Sequence, residues 1–233
     1  MWIMLEWQLR QMGAESLATN RAALDMMLPA MSKFAESSYP VLSKAPLYLR
    51  ETLLFPYTAG LLFQQTAVEQ RGRQAFAQVL TDPPLTTHEV LHPEAWMQKL
   101  KFTPPALPAW PEGSRYHRVS SGILGELDLQ ILLKQYARVE DAARLAPLWR
   151  GGAYELAEHK ASRRPALRWS VAFDSPDSAR HFLTLYRKVL EGKSERLLVE
   201  TSGPDLVGGA NTGGRFRIEA RGPSVTALEA LQP

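Results

Sequence analysis

The segment KFTPPALPAWPEG, Lys101 to Gly113, constrains this chain more than any other stretch. Pro104, Pro105, Pro108 and Pro111 each fix φ and remove a backbone donor, so neither a helix nor a central strand can run through it. The chain must therefore be assembled from two parts, residues 1–100 and 114–233, with 101–113 as the connector or hinge between them. At 233 residues, one large domain or two modest ones are possible, and either can bury a core.

The first part reads as helical. In MWIMLEWQLRQMG, Trp2, Leu5, Leu9 and Met12 recur at helical spacing from the first residue, without an N-cap. Asn20 can cap a helix through Leu24, Met27, Leu28 and Met31. Pro46 can open a longer one that Pro56 kinks or splits and Gly72 ends. RQAFAQVL adds a short helix, stopped at Asp82-Pro83-Pro84.

Beyond the connector the texture changes. GILGELDLQILLKQY and VEDAARLAPLW read as helices. In ALRWSVAF, Leu167, Trp169, Val171 and Phe173 alternate with smaller or polar residues, the period of a half-buried strand. The next helix has Ser175 as N-cap, Pro176 at its first position and Gly192 past its end. RLLVETS, GRFRIEARG and SVTALEAL read as strands, with GGANTGG as a hairpin loop. The expected class is α+β, a mostly helical N-terminal half followed by helices packed on a small antiparallel sheet.

Composition narrows the function classes. There is no cysteine, which excludes disulfides, thiolate metal sites and a cysteine nucleophile. A net charge of +3, without a dense Lys/Arg stripe, argues against nucleic acid as a partner. No apolar run is long enough to span a bilayer, and the first residues do not form a signal peptide. There is no G-x-S-x-G elbow, and GGANTGG lacks the features of a phosphate loop.

One motif carries chemistry by its letters. TTHEVLHPEAW contains His88-Glu89-Val90-Leu91-His92, an H-E-x-x-H. A zinc peptidase needs both histidines on one continuous helix, the glutamate as general base and a third ligand from elsewhere. Here Pro93 pushes His92 out of the α region. Pro83-Pro84 leaves no helix before Thr86, and Thr86 and Glu89 have the spacing of a capping box. The bland reading makes Glu89 a cap, His88 an exposed side chain and His92 the cap of a second short helix. As an active zinc hydrolase, the chain would use His88 and His92 as ligands, with Glu112 or Glu126 as the third. Spacing selects neither glutamate.

Several segments together resemble a known family: LYLRETLLFPYTAGLLF, DPPLTTHEVLHPEAW, ILGELDLQILL, and LWRGGAYELAEHK followed by LRWSVAFDSPDSARHFLTLYRKVL. In order and spacing they are similar to poorly characterised bacterial and archaeal proteins of metallopeptidase-like, gluzincin-like architecture. The resemblance implies a zincin-like remnant in residues 1–100. In that family the zinc helix and a following acidic segment lie upstream of a helix like WIMLEWQLRQMG, so this chain is expected to lack peptidase activity and to need no cofactor. Family members carry Leu-His-Pro-Glu where this chain has Leu91 to Glu94. The implied cleft residues are Arg50, Tyr57 and His92, placed to hold a substrate or an oxyanion. Their structural readings are a solvated helix charge, a core aromatic and a helix cap. The implied partner is a peptide or protein. Such proteins are often exported, whereas this chain as given carries no export signal and is expected in the cytoplasm. A purely structural interaction module is the third reading. Exposed apolar surface around Trp2, Ile3 and Leu5 would separate the first reading from the third.

Overall fold

The structure is a computed structural model. It describes residues 1–232, apart from the side chains of residues 31–37 and 114. Met31 of the second expected helix thus has its side chain outside the described residues. The chain forms two compact units, Met1–Leu100 and Lys101–Pro233, and its class is α+β.

The first unit is helical: α1 (Trp2–Gln11), α2 (Arg21–Ser38), α3 (Pro40–Ser43), α4 (Leu47–Leu54), α5 (Ala59–Arg71), α6 (Gln74–Thr81), α7 (Thr87–Leu91) and α8 (Pro93–Met97). Local chemistry sets the breaks. Asn20 Oδ1 accepts from Ala23 N at 3.1 Å, opening α2. Pro56 turns the chain through a tight 3-10 segment, Phe55–Tyr57, so α4 and α5 are separate helices. Gly72, at φ +58, ends α5. Helix α1 is tied down by its polar groups. Trp2 Nε1 donates to Gln65 at 2.6 Å. The buried Glu6 accepts from Arg10, Ser16 Oγ and the Leu17 N–H. The core gathers Trp2, Leu17, Leu24, Leu61, Phe63 and Trp96, with Phe63 edge-on to Trp96 at 5.0 Å. Met12, expected on the inner face of α1, is 72 % exposed, because the helix has ended before it.

The second unit contains β1 (Tyr116–Ile123), α9 (Glu126–Tyr136), α10 (Val139–Leu145), β2 (Trp149–His159), β3 (Pro165–Phe173), α11 (Pro176–Lys193), β4 (Leu197–Ser202), β5 (Leu206–Asn211), β6 (Gly214–Arg221) and β7 (Ser224–Leu231). The strands form one antiparallel sheet in the order β1-β2-β3-β7-β6-β5-β4. Helices α9, α10 and α11 bury one face of it. Trp169, Val171 and Phe173 of β3 meet Ala179, Phe182 and Tyr186 of α11 in that core. The residues between them on β3 face the other way, where the proline-rich segment lies. Ser170 Oγ donates to the Pro105 carbonyl at 2.7 Å, and Arg168 Nη1 to the Pro108 carbonyl at 2.9 Å. Trp110 Nε1 donates to Glu155 at 2.8 Å. The proline-rich segment is therefore a strap fastened along β2 and β3. Gly151 lets it approach: φ is +150, and a Cβ there would stand 2.7 Å from the Thr103 carbonyl oxygen.

Three local expectations are corrected. Gly122 and Ile123, read as the start of a helix, end β1, and the helix begins only at Glu126, where Asp128 accepts from the Gly125 N–H. Gly192 does not follow the helix but lies inside α11, where a Cβ would meet the Tyr136 ring at 2.6 Å. The glycines of GGANTGG are not all loop. Gly208 and Gly209 belong to β5, and a Cβ on Gly209 would clash with the Leu198 carbonyl. Among the described residues no helix is long and apolar enough to cross a membrane.

Candidate functional site

The site that the sequence singles out is built on α7 and α8, which pack on each other and on α5. The two prolines after α6 delay the new helix until Thr86. There the capping box forms in full. Thr86 Oγ1 accepts from Glu89 N at 3.2 Å, and Glu89 Oε2 accepts from Thr86 N at 2.9 Å. The same Oε2 also takes the Leu85 N–H at 2.6 Å and the Thr86 hydroxyl at 3.2 Å. Three donors on one carboxylate oxygen make Glu89 a structural acceptor at a helix start.

Helix α7 is only five residues long. His92 sits at φ −126, ψ 78, outside the α region, as the residue before a proline must. It begins α8 by position, although its side chain makes no capping hydrogen bond. Despite the break, the two imidazoles meet, with ring centroids 4.4 Å apart. The expectation that His88 is exposed is corrected: it is 5 % exposed, since α7 turns its face into the fold as it packs on α5. The ring of His92 is partly exposed, and its Nδ1 lies 3.7 Å from a Glu94 oxygen.

The remaining nominees lie as follows. Arg50 is half-buried on α4, and its Nε is buried without a hydrogen-bond partner among the described residues. Tyr57 ends the 3-10 turn and is 54 % exposed, so it is not the core aromatic of the structural reading. In the second unit, Glu126 is buried in the first turn of α9. Glu112 is exposed and paired with Arg115 at 2.7 Å.

Around α1 the surface is apolar. Trp2 is buried and Leu5 half-buried, but Ile3 is 62 % exposed, as is Trp7 at 60 %, one turn on along the same face. Beside them, Ile3, Val68, Phe76, Val79 and Leu80 line a groove of about 200 Å³. Leu80 is among the most exposed large apolar residues described.

Two polar clusters in the second unit were not found from the sequence. Glu229 of β7 accepts from Trp169 Nε1 at 2.8 Å and from the Tyr186 hydroxyl at 2.5 Å, and pairs with Lys193 at 2.5 Å. Burial first, and then the Glu229 charge, push the Tyr186 hydroxyl well above the usual phenol range. Glu155 accepts from Trp110 and Arg168. Burial alone would raise its pKa, but the bonds from Arg168 and Trp110 outweigh it and hold the carboxyl below the ordinary range. The signal for the first cluster was present: Glu229 falls in phase with the core residues Val225 and Ala227 of β7.

Residues 114–233, just over half of the chain, match the model of a family described as a domain of unknown function (DUF8575). No curated protein and no solved structure matches the chain.

Proposed function

Since the chain belongs to the DUF8575 family, whose description names no activity, we propose a function from the chain's own geometry: a metallopeptidase-like protein that binds a peptide segment of a partner and does not cleave it. The observation that carries this reading is the apolar face of the first unit. Ile3 stands exposed on α1 and lines the groove together with Leu80, and Trp7 is exposed one turn further along α1. A helix that is apolar on its outward as well as its inward face has a stripe left to cover. A groove between helices suits an amphipathic helix that presents apolar anchors one turn apart. The series of segments similar to gluzincin-like proteins supports the description of the helical unit as metallopeptidase-like.

The hydrolase reading needs Glu89 as general base. Its Oε2 is already committed to the Leu85 and Thr86 donors, which supports binding over cleavage.

The test is a titration of fluorescent amphipathic peptides, apolar at positions i, i+4 and i+7, against the full chain by anisotropy. Saturable binding, weakened at least about tenfold by Leu80→Asp and by Trp7→Asp, supports the reading. Binding that neither variant alters, or no binding at any concentration reached, sinks it.

A further inference from the structure

We propose that His88 and His92 form a binding site for a divalent transition-metal ion of the zinc, nickel or cobalt class, independent of peptidase chemistry and of the apolar groove. Imidazole is the ligand these ions favour among residues available to a chain without cysteine. The two side chains offer ligand atoms within 4.8 Å of each other. Two nitrogens on one tetrahedral zinc ion, at bond lengths of about 2.0–2.1 Å, stand roughly 3.3 Å apart. The pair must therefore close by at most about 1.5 Å, a movement that side-chain rotation supplies.

The backbone beneath them is already set. The His92 N–H donates to the His88 carbonyl at 2.8 Å, and the Ala95 N–H donates to the His92 carbonyl at 2.9 Å. The capping box holds the other end of α7, and Pro93 restricts His92 itself. A second feature points the same way. The Glu94 carboxylate faces His92 Nδ1 at 3.7 Å. A carboxylate charge at that distance favours a cation held by the neighbouring ring.

Glu89 takes no part, because its role is at the helix start. The site thus separates two functions that the H-E-x-x-H letters combine: it holds an ion by the histidines and has no general base from the glutamate.

The experiment is calorimetric titration of the chelator-stripped full chain with zinc chloride, repeated with nickel chloride. One ion per chain is expected, with a dissociation constant in the micromolar range. His92→Ala, at the partly exposed position, should weaken binding at least tenfold while circular dichroism stays unchanged. Glu94→Gln, which removes that exposed charge, should weaken it by less than His92→Ala does. His117→Ala and His181→Ala, at exposed positions in the second unit, should leave it unchanged. The proposal is overturned if the wild type binds no ion at 100-fold excess over about 1 μM protein. It is equally overturned if His92→Ala binds as tightly as the wild type, or if His117→Ala or His181→Ala is the variant that loses the ion.

Discussion

Replacing Glu229 by alanine removes the acceptor shared by three donors, and the structure sets the size of the loss. Trp169 and Tyr186 are 3 % and 4 % exposed, so neither can turn to water when the carboxylate is gone. A buried donor left without a partner costs about 1–3 kcal/mol, which gives roughly 2–6 kcal/mol for the two. Lys193, with its side chain 28 % exposed, keeps some access to water, and its share is left out of this sum. The expected loss is therefore about 2–6 kcal/mol, a large part of the ~5–15 kcal/mol that holds a typical domain together. Hydrogen exchange read on peptides from β3, α11 and β7 isolates this unit from the helical one. At 1.4 kcal/mol per tenfold, protection of the slowest amides should fall by about one and a half to four orders of magnitude. Glu229→Gln keeps an acceptor for part of the cluster and should fall in between. A change of less than about tenfold in the alanine variant would refute the assignment of Glu229 as the satisfying partner.

Two further outcomes follow from the same kind of argument. Thr86→Ala removes the side-chain acceptor for Glu89 N and should cost about 1 kcal/mol, read as faster exchange of the α7 and α8 amides. At alkaline pH the raised pKa of Tyr186 means that the native state keeps a proton which the unfolded chain releases above pH ~10. The stability this contributes is complete below that pH and is lost as pH rises toward the folded value. Melting temperatures from pH 9 to 11.5 should therefore fall less steeply in Tyr186→Phe than in the wild type, by the equivalent of one proton; parallel slopes would contradict it.

The elements legible in the sequence are those whose causes are local. Ser175 and Pro176 mark the start of α11, Pro56 divides α4 from α5, and the alternation from Ala166 to Phe173 is β3. The capping box at Thr86 and Glu89 was legible for the same reason, since its partners are three residues apart. What failed depended on distant partners. Gly192 looks like a helix stop until Tyr136, on another helix, is seen to need the space. Gly209 looks like a loop residue until the strand beside it, at Leu198, takes the place of a side chain. The burial of His88 and the binding of Glu155 by Trp110 and Arg168 likewise come from contacts between separate elements. Of the candidate site, the pairing of His88 with His92 was visible as a spacing, and the pre-proline break between them as a rule. Their contact across that break was not visible, because it depends on how α7 and α8 fold onto α5.

The central claim is that Glu89 starts a helix and that the chain binds without cutting. It is tested most directly by incubating the zinc-supplemented full chain, and its Glu89→Gln variant, with a peptide library and reading cleavage by mass spectrometry. Glutamine preserves the capping box but cannot serve as a general base. The account predicts no cleavage above the buffer control for either protein. Cleavage by the wild type that disappears in Glu89→Gln would contradict it and make HEVLH a working peptidase centre.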